Sequence, residues 1–252
     1  MIIMGATTPQ WKQLAADTRD ILGDPWEVAG SGRKTILVRR GIGWWQQHIS
    51  YEPTTLGRFI AYSGFLGKPL AYTQIGDSGG TTSDRFPSDP RQRRSRDLHD
   101  PQALADWILA VASEQFDTVP DLNDHLTRLE EVHHRRAETP VAQQMFSSRS
   151  LQLLVMLRVI CGTRSREGLL ADIDDVLADP DTALRNPATF RRADGGPTYP
   201  QFFTSLRGII AAADRPAMQQ LILDTRRDNL RHYKIPESWV SGVTFPAPEH
   251  PW

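Results

Sequence analysis

Five short groups of residues carry the side chains that catalysis, metal binding or anion recognition would need. Gly76-Asp77-Ser78-Gly79-Gly80 matches the run around the nucleophile of chymotrypsin-like serine proteases. That chemistry also needs a His base and an orienting Asp. Before Ser78 the one histidine is His48, and the one aspartate between them is Asp77 itself. The run therefore reads as a Gly-rich turn. Gly30-Ser31-Gly32-Arg33-Lys34-Thr35 has the texture of a phosphate loop, but such a loop needs GxxxxGK[ST] feeding a helix. Here the spacing differs and Thr35–Arg39 continues as a strand, so a hairpin turn is expected.

His125, Glu130, Glu131, His133 and His134 fall on one predicted helix. Glu130 and His133 form a Glu-x-x-His, half of a di-iron motif that needs a second copy and two further Glu. The overlapping Glu131/His134 pair lies on the same helix, and no copy on another helix, HExxH or Cys pair is found in the sequence, so neither iron nor zinc is implied and no cofactor is expected. A polar face running on into Arg135 and Arg136 accounts for the group. The remaining enzymatic reading is a hydrolase using His133, His134 and nearby carboxylates; it requires these groups to line a cleft. Asp172, Asp174, Asp175, Asp179 and Asp181 lack the calcium-loop pattern and read as a solvated helix face and end.

Arg85, Arg91, Arg93, Arg94 and Arg96 form the densest basic run. Together with Arg135, Arg136, Arg191 and Arg192 it supplies the nucleic-acid reading, which predicts binding that weakens steeply with salt. Asp84, Asp89, Asp97 and Asp100 interleave with it, and Phe86 is the one aromatic nearby, a poor stacking platform. Trp44 and Trp45 follow Arg39 and Arg40 and point to opposite faces of a strand. An exposed Trp flanked by Arg is the composition of a protein-binding hot spot.

The elements that must position these groups can be read from spacing. The chain has 252 residues, 39% hydrophobic and 23% charged, which suits a globular protein with a sizeable core. Its formal charge of -1 gives no global attraction to nucleic acid or anionic lipid, so either would need a local patch. Of its 29 basic residues only Lys12, Lys34, Lys68 and Lys234 are lysine; this Arg bias fits a GC-rich coding sequence or planar recognition of phosphate and carboxylate. The lone Cys161 sits among Leu153, Val155, Leu157 and Ile160, as a buried thiol would. No signal peptide is read in Met1–Gly23 and no stretch is apolar enough for a membrane span, so a cytoplasmic protein is expected.

A helix is predicted over Thr8–Leu22, followed by strands over Thr35–Arg39, Trp44–Tyr51 and Arg58–Ser63. In the second strand Trp45, Ile49 and Tyr51 share one face and Gln46, His48 and Ser50 the other, which predicts a sheet with one face on a helix and one half-open. Gly64–Asp100 reads as a long loop. Asp100 and Pro101 open a helix through Leu104, Trp107, Ile108 and Val111. A second runs over Val119–Val132, and Leu151–Ile160 is apolar on nearly every side and stopped by Gly162. Three more are marked by Leu169–Leu177, Phe202–Ile210 and a start at Asp214, and Pro236–Trp252 reads as an extended tail.

The order of helix, LVRRGIGWWQQHISYE, GRFIAYSGFLGKPL, loop, and ALADWILAVASEQFDTVPDLNDHL resembles a group of uncharacterised bacterial proteins in which a short antiparallel sheet precedes helices. Some of these are similar to immunity proteins that accompany polymorphic toxins. The resemblance covers residues 8–135 and brings no catalytic residues; it implies a non-enzymatic binder. The expected fold is α+β: an N-terminal helix and small antiparallel sheet in 1–75, a loop over 76–100, a mainly helical portion over 101–235 and a tail over 236–252. The expected function is recognition of another protein through Trp44, Trp45, Arg39 and Arg40, with nucleic acid as the alternative partner and no membrane association.

Overall fold

The computed structural model describes residues 8–52, 58–69, 81–82, 99–112, 116–117, 121–135, 148–179 and 197–252. The fold is α+β, as the spacing predicts. The chain divides into two compact units, neither of them continuous. Met1–Gly64, Ser78–Val119 and Leu230–Gly242 make the sheet-bearing unit; Phe65–Asp77, Pro120–Asn229 and Val243–Trp252 make the helical one. These boundaries cut across the sequential segments expected above, because residues after 100 and after 230 return to the sheet.

In the sheet-bearing unit α1 (Thr8–Leu22) leads into β1 (Trp26–Ala29), β2 (Ile36–Arg39), β3 (Trp45–Glu52), β4 (Arg58–Phe65) and β5 (Thr81–Thr82). The five strands lie side by side in chain order. β1 pairs antiparallel with β2, setting Ala29 opposite Ile36, and β2 with β3, setting Leu37 opposite Ile49. The strands β1 and β5 are additions to the three predicted, and β5 falls within the stretch expected to be a loop. The four residues of β1, WEVA, follow Pro25 and are too few to show an alternation, and β5 is shorter still. Ser31–Lys34 closes the β1–β2 hairpin, as expected of that Gly-rich run.

One sheet face is apolar and carries Leu37, Ile49, Tyr51, Phe59 and Ala61 in a core with Trp11, Leu14 and Ala15 of α1. The helix α2 (Pro101–Trp107) adds Leu104 and Trp107 to the same core. Asp100 caps α2 by accepting from the Gln102 amide, and Pro101 takes the first turn, where its missing N–H costs nothing. A π-helical turn, Ile108–Ala112, continues α2. Farther on, Val240 pairs in parallel with Ile42, and the Trp239 carbonyl accepts from the Gly41 and Ile42 amides. The start of the predicted tail is thereby tied to the β2–β3 connection, with a short helical turn at Glu237–Trp239.

The helical unit holds α3 (Leu122–Arg135), α4 (Ser148–Cys161), α5 (Arg166–Ala178), α6 (Tyr199–Ala211) and most of α7 (Arg215–His232). α4 is the buried helix its composition predicts, with every residue from Gln152 to Cys161 inaccessible or nearly so. It packs on α3 and α5, and α5 packs on α6. Each cap follows from a residue suited to it. Ser165 accepts from the Gly168 amide at the start of α5, and Thr198 with Gln201 forms a reciprocal capping box at the start of α6. Gly162 ends α4 in the left-handed conformation, φ +65°, and its carbonyl accepts from the amides of Glu249 and His250. A side chain at 162 would also run into Pro248.

Candidate functional site

Of the four residues expected to bind a partner, Arg39 ends β2 and Trp45 opens β3, while Arg40 and Trp44 lie in the connection between them. Trp44 is buried, whereas Trp45 is partly exposed. Continuing the β2–β3 register by one residue places Arg39 opposite Gln47, so Trp45 follows next along the same face. The Gln47 side chain donates to the Phe116 carbonyl at 2.8 Å, and the Arg39 guanidinium pairs with Asp117 at 2.5 Å. Arg40 pairs with Asp24. Both guanidinium groups are thus held in place while remaining about one-third open to solvent, with exposures of 31% and 37%. The ion pairs are exposed, so each contributes little stability; their effect is to fix long side chains in one direction.

The other face of β3 departs from the expectation of a half-open sheet. Gln46 and His48 are fully buried, at 0% and 1% exposure. Their alternation correctly separates them from Ile49 and Tyr51, but the face they occupy is covered too. The His48 ring stacks on Tyr62 at 5.6 Å, and neither ring nitrogen makes a well-formed hydrogen bond among the described residues. Burial pushes the His48 pKa down to about 3, against a smaller opposing pull from the Gln46 backbone. Between pH 6.5 and 3 the unfolded chain therefore binds a proton at this site that the folded chain refuses, and stability falls as pH falls through that window. At pH 5 the loss attributable to His48 is about 2 kcal/mol relative to neutral pH. Urea unfolding of the native protein and of His48→Gln at pH 7 and pH 5 checks this: the variant should lose about 2 kcal/mol less on acidification.

In the helical unit the His/Glu group lies on α3. Glu130, Glu131, His134, Arg135 and Thr127 line a groove of about 480 Å³. His134 is exposed and its Nδ1 lies 2.7 Å from the Glu130 carbonyl, while the Thr127 hydroxyl donates to the Asn123 carbonyl. The groove thus holds a histidine and carboxylates, yet the Thr127 hydroxyl, the one among its described lining residues, is turned back on its own helix and is not placed against His134. Glu130 reaches instead to Arg158, at 3.1 Å. Arg158 also meets Asp172 at 3.0 Å, and Asp172 has Arg164 at 3.5 Å. Asp172 is buried, not part of a solvated face as its neighbours suggested; Asp174 is exposed and pairs with Arg207 through both carboxylate oxygens, which holds its carboxyl below the ordinary range. No group of three His, Cys, Asp or Glu suited to a metal ion occurs among the described residues.

Cys161 is buried at the end of α4. Burial pushes its thiol up to about 11, and the charges of Asp121, Glu249 and Glu130 add to the effect, so it carries no thiolate at neutral pH. Arg85, Arg91, Arg93, Arg94 and Arg96 lie outside the described residues, as do Arg136, Arg191, Arg192 and the Ser78 run. No helix among the described residues is long and apolar enough to cross a membrane.

A second cavity, of about 320 Å³, opens beside the β1–β2 hairpin and is lined by Gly30, Ser31, Lys34, His232 and Lys234. In the sequence Lys34 reads as part of a failed phosphate loop, and Lys234 as no more than one of four lysines. The separation of 198 positions between Lys34 and His232 leaves no local spacing that would have joined them. Comparison with protein-family models, with curated proteins and with solved structures gave no match.

Proposed function

We propose that the protein is a binding protein that recognises another protein, in the manner of an immunity protein or an adaptor. The observation that supports this reading is the arrangement at the β2–β3 end: a partly exposed Trp45 on the same face as Arg39, with Arg39 and Arg40 each braced by an aspartate. Aromatic and guanidinium groups that are ordered before binding lose less conformational freedom when a partner docks, so more of their contact energy appears as affinity. Trp45 is the anchor in this reading, and Trp44, buried, supports the strand.

Affinity capture from the native host lysate, washed at low and high salt with and without nuclease, tests the proposal. The expected result is one protein retained at high salt, unaffected by nuclease, and lost with Trp45→Ala or Arg39→Glu. Each of these changes is expected to weaken binding by about 2 kcal/mol or more, some thirtyfold in Kd. Retention at low salt alone, abolished by nuclease and unchanged in Trp45→Ala, would overturn it in favour of nucleic acid.

A further inference from the structure

We propose that the cavity beside the β1–β2 hairpin is a binding site for a phosphate-type oxyanion. Two of the four lysines of the chain meet there, although they are 200 positions apart in sequence. None of the five described residues that line it is acidic. Lys34 Nζ lies 3.3 Å from His232 Nε2, and Lys234 Nζ lies 3.3 Å from Ser31 Oγ. An ammonium only donates, so Nε2 of His232 accepts from Lys34 and Oγ of Ser31 accepts from Lys234. The Ser31 hydroxyl proton is thereby left to point at a further acceptor. Two ammonium groups and a hydroxyl donor on one cavity suit a compact dianion with several acceptor oxygens.

The turn that presents these groups is built by glycine. Gly30 has φ +78°, and a Cβ there would lie 2.0 Å from the Lys34 carbonyl oxygen, so no other residue allows the chain to close this tightly. The Lys34 and Thr35 amides donate to the Ser31 and Gly32 carbonyls, and the Thr35 hydroxyl also donates to Gly32. The other wall is the end of α7. Lys234 donates its amide to the Arg231 carbonyl and Ile235 to Leu230, the paired bonds of a helix stop whose left-handed position favours glycine. Lys234 occupies that position with φ +54°. This gives a substitution that separates stability from binding: Lys234→Gly relieves the backbone while removing a cation.

The test is an amide chemical-shift titration of the full chain with inorganic phosphate at constant ionic strength, with chloride as the control. Saturable shifts at Gly30, Ser31, Lys34 and Lys234 are expected with phosphate and not with chloride. Lys34→Gln and Lys234→Gln should each weaken phosphate by about tenfold or more, as loss of a charged hydrogen bond does, and Lys12→Gln, at an exposed position of α1, should leave it unchanged. Lys234→Gly should melt at a higher temperature than the native protein in phosphate-free buffer and still bind phosphate more weakly. Adenosine monophosphate in a parallel titration distinguishes the source of the anion: tighter binding than phosphate assigns the site to a nucleotide, equal binding to phosphate alone. Shifts that do not saturate, that chloride reproduces, or that survive in the Lys34→Gln/Lys234→Gln double variant overturn the proposal.

Discussion

Replacing Arg158 with alanine is expected to destabilise the helical unit by about 3–5 kcal/mol, a large share of what holds a domain together. Arg158 projects from the buried helix α4 and is itself only 6% exposed. It bridges Glu130 of α3 and Asp172 of α5, so one side chain joins the three helices that pack around it. Removing it leaves the Asp172 carboxylate at 9% exposure with Arg164 as its nearest cation, 3.5 Å away and itself partly in water. Glu130 is about one-third exposed and can turn toward solvent; Asp172 cannot. The cost is therefore that of an uncompensated buried charge, not that of a lost attraction. The same logic predicts a rescue. One oxygen of Asp172 has no hydrogen-bond partner among the described residues, so the network is imperfectly satisfied even in the native protein. The double substitution Arg158→Met/Asp172→Leu removes both charges and should recover most of the loss, to within about 1 kcal/mol of the native protein. Urea unfolding, with hydrogen exchange of the α4 amides as a local readout, gives both numbers. A loss below 1 kcal/mol for Arg158→Ala would mean that water reaches Asp172 and the pair behaves as a surface bridge.

The network also shows where sequence reading stops. The apolar spacing of α4 is visible at once, and so is its end at Gly162, because helix propensity, periodicity and the left-handed stop all act within one turn of the chain. Thr8–Leu22 and the Asp100-Pro101 cap are local in the same sense, and the structure places them where the spacing does. Asp172 sits among four other aspartates and reads as solvated, since nothing within a few residues reveals Arg158 fourteen positions earlier. Gln46 and His48 alternate with Trp45, Ile49 and Tyr51 as a water-facing row should. Alternation reports that the two faces differ, whereas burial depends on what the rest of the chain lays over them, and here both faces are covered. The hairpin Gly30–Thr35 was legible as a turn because glycine permits it; the lysine that meets it from the end of α7 was not.

Trp11→Ala should cost the sheet-bearing unit about 3–5 kcal/mol, and the comparison with Trp11→Phe decides what the indole contributes. Trp11 is 2% exposed and lies between Tyr51 and Phe59, with ring centroids 6.0 and 5.6 Å away, the second pair edge-on. Alanine removes the ring, leaves a cavity on the α1 side of the sheet and ends both ring contacts, which contribute about 0.5–1.5 kcal/mol each beyond burial. Phenylalanine keeps an aromatic ring there but not the N–H. Trp11 Nε1 donates to the Thr35 carbonyl at 2.8 Å, in the buried interior, so Trp11→Phe strands that acceptor at a cost of about 1–3 kcal/mol. Thr35 follows Lys34 directly, and its own amide and hydroxyl close the Gly30–Lys34 turn. The indole therefore clamps the hairpin from the core side at the residue next to the lysine that faces the cavity. Trp11→Phe should accordingly do two things that a core change in the helical unit, such as Ile173→Ala, should not: speed hydrogen exchange at the Lys34 and Thr35 amides, and weaken phosphate at Lys34. If Trp11→Phe lowers stability while leaving exchange at those amides unchanged, the turn is held by its own hydrogen bonds and the Trp11 contribution is packing alone.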